Sequence, residues 1–402
     1  MRVHDPSSVP DRSTVSVRPV HQGDYADVNA LHRAVWWPER SSAGWRWLED
    51  NPARQALDAP VGYVVQDRDG VARAFVGNMI QRFWQDGREY FGAQGFSIVV
   101  PPELAGCSRG LIRSVCRQDG VFSVFTFNAN PASARLYPRF DLKPFPDTHA
   151  LKLSWVIDPL ACLTGRVLRG LVKRAPGLAR PLGERLMSPR LGDVDGLKLP
   201  DWIEVVTDLS DGSDYGRFWD TLKAEGRMVA DRSPEAMRWR VSDPDQTLAP
   251  LLLAYRRDGR IIGYAYAQIG KGNAIEPPFL EIIDLIALEG ERDAVFALAR
   301  TLLDNAQALA VAKVRLQVVN PELLEALGPL VRTARREGGW GHCHAWFDPD
   351  GPGGDQWAPT PFDGDYSFCT RPAPLRTAGR TAGQRVPAPQ TEGKNEGRVA
   401  KA

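Results

Sequence analysis

Apolar and polar positions alternate along the first half of the chain in short runs that predict a mixed α+β unit. Strands are predicted where apolar residues form short runs bounded by turn residues, and amphipathic helices where apolar residues return at helical spacing. The predicted elements are a strand at 15–18, a helix at 25–32, and strands at 62–65, 96–100 and 121–127. An Asp-Gly dipeptide at 69–70 follows the second strand and predicts a hairpin.

The second half of the chain repeats this order of elements. Trp47 precedes Pro52 by five residues, and Trp239 precedes Pro244 by the same step. An Asp-Gly hairpin signal also returns, at 258–259. The predicted elements of this half are strands at 203–206, 251–255, 280–285 and 313–319 and helices at 215–220 and 293–309. We therefore interpret the chain as two copies of one α+β unit.

Composition narrows the class of protein. A hydrophobic content of 43% and a charged content of 25% are ordinary for globular proteins, and 402 residues suffice for two domains. A net charge of +1 argues against a nucleic-acid partner. The five cysteines have no Cys-x-x-Cys spacing, so we expect reduced thiols and no metal site. Residues 1–8 do not resemble a signal peptide and no apolar run is long enough to span a membrane, so a cytoplasmic protein is expected.

A strand end followed by a helix start carries the first candidate chemistry. Asn130 and Ser133 follow the apolar run at 121–127, and Tyr137 comes seven residues after Asn130. This spacing predicts a helix of about two turns, which would hold the Tyr137 hydroxyl at a fixed distance from the strand end. A phenol with a pKa of about 10 is protonated at neutral pH and can give its proton to a leaving group. The alternative is that Tyr137 is a core residue of a strand–helix unit.

A second candidate block lies between the strand at 96–100 and a predicted helix that carries Leu111, Ile112 and Val115 on one face. The N–H groups at a helix start are unpaired and carry partial positive charge, so a diphosphate can bind there. Small residues allow the phosphates to approach the backbone closely. The candidate binding residues are Val100, Gly106, Cys107, Ser108, Arg109 and Gly110.

The block at 100–110 followed by the block at 130–137 resembles the acyl-CoA-binding region of GNAT-superfamily N-acetyltransferases. The resemblance implies a co-substrate, acetyl-CoA or another acyl-CoA, whose diphosphate lies at 106–110. It also implies that Asn130 lies near the pantetheine arm and that Tyr137 protonates the departing thiolate. A splayed strand at 95–100 would form hydrogen bonds with that arm. Two positions depart from the family pattern: Ala105 stands where Gln or Arg is usual, and Ser108 stands where Gly is usual.

The second copy lacks this chemistry. The segment at 287–293, where the diphosphate would bind, carries three acids that would repel it. Leu327 lies seven residues past Asn320, so Tyr137 has no equivalent. The predicted fold class is α+β, with two GNAT-like domains that each have a mixed, mostly antiparallel sheet flanked by helices. The predicted domains are a disordered N-terminus (1–12), an acyl-CoA-binding domain (13–155), a basic linker with a helix (156–200), a degenerate second domain (201–370) and a disordered tail (371–402).

No residue of the first copy is an obvious general base. The strand before the diphosphate segment offers no carboxylate, and Glu89 is the nearest. Gln94 is a candidate for orienting the acceptor or a water molecule. Asp363 and Asp365 are candidates for contacting an amine or a sugar, whereas the Asp-Gly sequence between them favours an ordinary surface turn. Most tryptophans at 36–47 are expected to pack in the core.

Residues 160–190 combine basic and apolar positions. They hold seven Lys or Arg residues against one acid, Glu184, and aliphatic residues recur between them at helical spacing. Such a helix can lie on an anionic membrane surface, which would suit a lipid-linked acceptor. The alternative is a linker helix whose apolar face packs on a domain.

These features together predict an acyltransferase. It would move an acetyl or other acyl group from acyl-CoA to an amine or hydroxyl by direct transfer in a ternary complex. By analogy with tandem proteins of bacterial surface-polysaccharide biosynthesis, an amino sugar is the preferred acceptor. One alternative is a non-catalytic binding or scaffold protein of the same fold. The other is an aminoacyltransferase similar to the Fem-type enzymes, which would require a basic surface for tRNA.

Overall fold

The structure of the protein is a computed structural model. It describes residues 15–35, 37–145, 150–172, 174–188, 191, 196–246, 248–273, 275–369 and the backbone of 371–372. The predicted disordered N-terminus and all but two residues of the predicted disordered tail lie outside these ranges.

The described residues of the first half form seven strands and five helices. They are β1 (Ser16–Pro19), α1 (Tyr25–Ala34), α2 (Ser42–Glu49), α3 (Pro52–Leu57), β2 (Gly62–Gln66), β3 (Ala72–Gln85), β4 (Arg88–Val99), α4 (Ser108–Cys116), β5 (Ser123–Thr126), α5 (Pro131–Ala134), β6 (Lys143–Pro144) and β7 (Leu151–Val156). Two helices connect this half to the second: α6 (Pro159–Val172) and α7 (Pro176–Leu186).

The second half follows with the same alternation of strands and helices. Its elements are β8 (Ile203–Val205), α8 (Asp214–Ala224), β9 (Val229–Ala230), α9 (Pro234–Val241), β10 (Leu251–Arg257), β11 (Arg260–Lys271), β12 (Phe279–Ala287), α10 (Arg292–Asn305), β13 (Lys313–Leu316), α11 (Pro321–Leu327), β14 (Arg335–Gly338), β15 (His344–Phe347), α12 (Tyr366–Cys369) and β16 (Arg371–Pro372). The predicted α+β class is confirmed.

The strands form two sheets with matching topology. The first sheet has the order β1-β2-β3-β4-β5-β15-β6, and the second, written from its opposite edge, has the order β8-β10-β11-β12-β13-β7-β14. Among these neighbours, only β4 with β5 and β12 with β13 are parallel. Both sheets are therefore mixed and mostly antiparallel, as predicted.

The two halves exchange one strand. β15, from the second half, lies between β5 and β6 of the first sheet, and β7, from the first half, lies between β13 and β14 of the second. The predicted domains, 13–155 and 201–370, therefore do not coincide with the two sheets. Each sheet includes one interior strand from the other half of the chain. One apolar core cluster also joins the halves, bringing Phe83 and Phe125 together with Tyr264 and Trp357.

The repeated tryptophans meet each other in the structure. The Trp47 and Trp239 rings stack with their centroids 4.5 Å apart and their planes 4° from parallel. The Trp47 indole N–H donates to the Trp239 carbonyl at 2.7 Å, and the Trp239 indole N–H donates to the Trp47 carbonyl at 2.8 Å. Because equivalent groups of the two copies make the same contact in both directions, this pair lies on an approximate twofold axis between the repeats.

Candidate functional site

The strands β4 and β5 separate at the centre of the first sheet. Their parallel pairing runs from Gly92 with Ser123 to Gln94 with Phe125 and ends there. Just beyond, the register of β4 against β3 shifts, and Ser97 has a φ of 48°. This bulge turns β4 away from β5, because an extra residue on one strand bends it. We call the resulting opening the first cleft; it confirms the expected splay of the strand at 95–100.

A cavity of about 310 Å³ occupies the first cleft. Residues of both diverging strands line it, from Gly95 to Ile98 on one side and from Val124 to Thr126 on the other. Ile112, Val115 and Cys116 of α4 form an apolar wall. This volume and mixed lining are typical of small-molecule sites, in which a few polar groups face an apolar pocket.

Tyr137 lines this cavity and keeps its proton at neutral pH. Its side chain is 8% exposed. Burial raises the pKa of Tyr137, and the neighbouring Ser133 and Thr126 side chains offset part of that increase by hydrogen bonding. The ring also packs against the His344 ring, with centroids 5.2 Å apart. A buried, protonated phenol facing a cavity can act as a general acid.

Asn130 and Ser133 hold the segment that presents Tyr137. The Asn130 side-chain carbonyl accepts from the Ser133 N–H at 2.9 Å, and the Ser133 hydroxyl accepts from the Asn130 N–H at 3.1 Å. The predicted two-turn helix is wrong, since α5 is a single turn and Tyr137 begins a separate 3-10 turn, Tyr137–Phe140. Pro138 explains the break, because proline has no N–H and its ring clashes with the preceding helical turn.

The second half contributes a carboxylate to the same cavity. Asp365 lines it and is 5% exposed, so the expectation of a surface turn was wrong. Its Oδ2 accepts from the Cys369 thiol at 3.0 Å, whereas its Oδ1 has no hydrogen-bond partner among the described residues. Burial raises the pKa of Asp365, and the Asn128 and Cys369 side chains and the Lys152 charge lower it in part.

His32 and Phe368, which the sequence analysis does not single out, also line the cavity. His32 lines the cavity from α1, and burial lowers its pKa to about 4, so it is neutral at pH 7. Aromatic rings from both halves, including Trp37, Trp45 and Phe368, form the wall around it. A lone His in an apolar helix gives no signal in a single sequence, because core histidines look the same.

The predicted diphosphate segment lies beside the cavity. None of the side chains of Val100, Gly106, Cys107, Ser108, Arg109 or Gly110 is among those that line it. The chain enters α4 through a 3-10 turn, Pro102–Cys107, and Ile112, about one helical turn past Ser108, reaches the cavity wall. A Cβ on Gly110 would lie 3.0 Å from Val17 Cγ2, so packing against β1 also requires a small residue there.

Gln94 and Asp363 lie outside the cavity. Gln94 is fully buried, and its side-chain carbonyl accepts from the Gln81 amide at 3.2 Å. The Asp363 carboxylate accepts from the Trp357 indole N–H at 3.1 Å and lies 3.5 Å from an Arg232 nitrogen. Both side chains bond to residues of their own half of the chain. Of the three predicted acceptor contacts, only Asp365 lines the cavity.

The whole chain is similar in structure to N-myristoyltransferase of Saccharomyces cerevisiae with bound myristoyl-CoA, with a TM-score of 0.50 and 9% identity over 85% of this chain and 80% of that one. The fold is that of the GNAT superfamily. A GCN5-related N-acetyltransferase of Kribbella flavida also aligns, with a TM-score of 0.45 and 14% identity over 83% of this chain and 72% of the other. No family model and no curated protein matches the sequence.

The sheet of the second half has the same opening between its parallel strands, which we call the second cleft. Pairing of β12 with β13 ends at Ile282 and Leu316, and β12 carries a bulge immediately afterwards. The segment at 357–363 crosses this cleft: the Asn320 amide donates to the Pro359 carbonyl at 3.0 Å, and the Thr360 hydroxyl donates to Asp284 at 2.8 Å. The second cleft is therefore filled by the chain itself.

A buried ion pair holds the segment at 357–363 in the second cleft. Arg232 donates to both oxygens of Asp284, at 2.7 and 3.1 Å, and its side chain is 2% exposed. Arg232 also donates to the Thr360 hydroxyl at 3.0 Å. Leu327, at the position equivalent to Tyr137, is fully buried. That the second copy has lost the binding and catalytic chemistry stays a prediction. The filled second cleft agrees with it.

A second, polar chamber adjoins the first cavity. It has a volume of about 290 Å³ and shares Asn128, Gly272 and Cys369 with the first cavity. Most of its other lining residues lie on β7, on and just after β13, and on β14 and the loop that follows it. They include Lys152, Ser154, Arg315, Gln317, Glu337 and Trp340. Because β7 crosses into the second sheet, strand exchange builds this chamber beside the first cleft.

Proposed function

We propose that the protein is an acyltransferase that moves an acyl group, preferably acetyl, from acyl-CoA to an amine or hydroxyl by direct transfer in a ternary complex. One observation carries this proposal: the first cleft is open, and a buried phenol and a buried carboxylate both face it. The second cleft, of the same topology, is filled. The GNAT fold supports acyl transfer as the reaction class.

The strand edges exposed by the first cleft suit an extended amide-containing arm. Beyond Gln94 and Phe125, the facing edges of β4 and β5 no longer bond to each other. Their N–H and C=O groups can therefore bond to a bound pantetheine, as in strand addition. In this arrangement the start of α4 faces the diphosphate, and the 106–110 segment is proposed to hold it.

Tyr137 and Asp365 take opposite roles in the proton transfers. As the acceptor nitrogen or oxygen bonds to the acyl carbon, Asp365 takes its proton. As the carbon–sulfur bond breaks, the Tyr137 hydroxyl protonates the leaving thiolate. A raised pKa makes Asp365 a stronger base than an exposed aspartate, and it keeps Tyr137 protonated.

The adjoining chamber is the proposed acceptor site. It shares the lining residues Asn128 and Cys369 with the first cavity, and the Cys369 thiol donates to Asp365. Polar side chains beside the Trp340 ring suit a sugar, whose hydroxyls need hydrogen bonds and whose apolar face packs on an aromatic ring. An amino sugar is therefore the preferred acceptor class.

Calorimetric titration of acetyl-CoA and longer acyl-CoAs into the full chain tests the proposal. A Cβ on Gly95 would lie 3.7 Å from Val115 Cγ1, an ordinary contact, so Gly95→Phe is expected to fill the cavity without disturbing the backbone. Gly23→Phe is the matched control, because nothing lies within 4 Å of a Cβ there. We expect saturable binding that Gly95→Phe abolishes and Gly23→Phe retains.

Two outcomes would contradict the proposal. Absence of binding for every acyl-CoA would favour a non-catalytic binding protein. Acyl transfer that ribonuclease abolishes would favour an aminoacyl-tRNA-dependent enzyme.

A further inference from the structure

The helical hairpin between the two halves exposes an unusual amount of aliphatic surface. Helices α6 and α7 pack on each other and on Ile275 through Leu168, Ala179 and Met187. A Cβ on Gly165 would lie 3.0 Å from Pro277 Cδ, which identifies the inward face of α6. The large aliphatic residues beside that face are 41% to 72% exposed: Leu160, Leu163, Val167, Leu178, Leu182 and Leu186.

These residues form a stripe on each helix. On α6 they recur at intervals of three and four residues, and on α7 at intervals of four. Residues at such spacing share one helix face. The predicted linker helix therefore does not use these positions to pack on a domain, since Gly165 and Leu168 do so instead.

The charge of the hairpin identifies the class of partner. The described part of the hairpin carries five arginines, Arg166, Arg169, Arg174, Arg180 and Arg185. Arg169 and Arg180 pair with Glu276 and Glu184, respectively. Arg166, Arg174 and Arg185 have no carboxylate within 4.0 Å among the residues that the structure describes. Exposed aliphatic stripes flanked by unpaired arginines match an anionic lipid surface, where leucines enter the acyl boundary and arginines meet phosphates.

We propose that the face formed by α6 and α7 binds the surface of an anionic lipid bilayer. No helix among the described residues is long and apolar enough to cross a membrane, so the contact is interfacial. The hairpin is firmly tied to the rest of the molecule: the buried Lys271 ammonium donates to the Met187 carbonyl at 2.7 Å. Gly272, the next residue, lines both cavities. Binding would thus place the active cavities near the lipid headgroups.

Vesicle sedimentation with the full chain tests this proposal. We expect binding to phosphatidylcholine–phosphatidylglycerol vesicles, weak binding to phosphatidylcholine alone, and release by high salt. The triple variant Arg166→Gln, Arg174→Gln, Arg185→Gln should lower the partition coefficient on the order of 100-fold. Its matched control, Arg68→Gln, Arg88→Gln, Arg332→Gln, removes three exposed arginines elsewhere and should bind like the parent.

A second pair of variants tests the aliphatic stripes. Leu163→Glu, Val167→Glu, Leu182→Glu should abolish binding, whereas Trp202→Glu, Val205→Glu places acids on exposed apolar residues outside the hairpin and should not. If the stripe variant fails to fold by circular dichroism, the arginine variant decides. Equal binding to neutral vesicles, or equal loss in the controls, overturns the proposal. Self-association by light scattering that the stripe variant abolishes, without vesicle binding, would instead assign this face to a second copy of the chain.

Discussion

The first and second clefts start from the same strand arrangement and end in opposite states. In both, a parallel strand pair stops at the centre of a sheet, the strand that precedes the helix carries a bulge, and an Asn-Pro sequence begins a short helix nearby. The first is an open cavity, and the second is filled by residues 357–363. The fold alone therefore does not make a site: an opening between strands must also be left free of the chain's own side chains.

The segment that fills the second cleft also supplies a residue to the first cavity. After crossing the second cleft, the chain continues directly into Asp365, which faces the first cavity. The Tyr366 hydroxyl then donates to the Phe127 carbonyl, at the end of β5. One short segment thus closes one copy and supplies a carboxylate to the other.

The largest expected effect is on kcat, and it should distinguish Tyr137 from Leu327, the equivalent residue of the second half. Tyr137→Phe should lower kcat roughly 10²- to 10⁴-fold while acyl-CoA binding is retained, because only the proton donor is removed. Leu327→Met changes the equivalent position of the second copy without changing its polarity, and kcat should stay nearly constant. Steady-state kinetics on both variants measure the difference. Equal losses would contradict the assignment of chemistry to the first copy.

The buried ion pair of the second cleft should dominate stability. Arg232→Met leaves Asp284 and Asp363 buried without their cation and should lower the free energy of unfolding by about 3–5 kcal/mol. The control, Arg33→Met, breaks an exposed pair with Glu39 and should leave the free energy of unfolding nearly unchanged. Urea denaturation gives both values. A similar small loss in both variants would show that the second cleft does not depend on this pair.

Deprotonation of Asp365 as the pH rises should increase activity and decrease stability. Asp365→Asn should lower kcat/KM about 100-fold at neutral pH and remove the acidic limb of its pH profile. Because the folded-state pKa is raised, the folded protein binds this proton more tightly than the unfolded chain does. Stability from this group is therefore present below the unfolded pKa and is lost as pH rises through the folded pKa. The Asp365→Asn variant cannot lose this proton, so its stability relative to the parent protein should rise as the pH approaches neutrality. Thermal melting temperatures of both proteins, recorded over a range of pH, measure this difference.

The smallest effect tests the two helix-starting asparagines. Asn130 and Asn320 each accept a backbone N–H three residues on, at 2.9 and 2.7 Å. Alanine at either position should cost about 1 kcal/mol of stability, the usual value of such a cap. Only Asn130→Ala should also raise the KM for acyl-CoA. An equal KM effect from Asn320→Ala would indicate a ligand in the second cleft.

Local pattern predicted most elements of this fold but not the choice of strand partners. Hydrophobic periodicity placed β2 and α10 close to their observed bounds, whereas β4 begins at Arg88, eight residues before the predicted strand. Asp258 and Gly259 form the predicted hairpin turn with positive φ at both residues. The exchange of β7 and β15 was not predictable, because both strands carry the same kind of pattern and either sheet could accept either one.

The site was predicted best where its residues lie close together in sequence. Asn130, Ser133 and Tyr137 lie within eight residues, and they meet at the first cavity. Asp365 and His32 reach the same cavity from distant parts of the chain. The Asp-Gly signal at 363–364 suggested exposure, since local turn chemistry carries no information about what a turn packs against.

Strand exchange has a consequence for how the protein is made. Among the described residues β6 pairs with β15 alone, so the edge of the first sheet stays incomplete until residue 347 has been synthesised. A ribosome-bound chain of the first half would expose the free edge of β5 and an unpaired β7, both of which can pair with other chains. The two halves are therefore expected to fold together, late in translation, and neither should be obtainable as a stable separate domain.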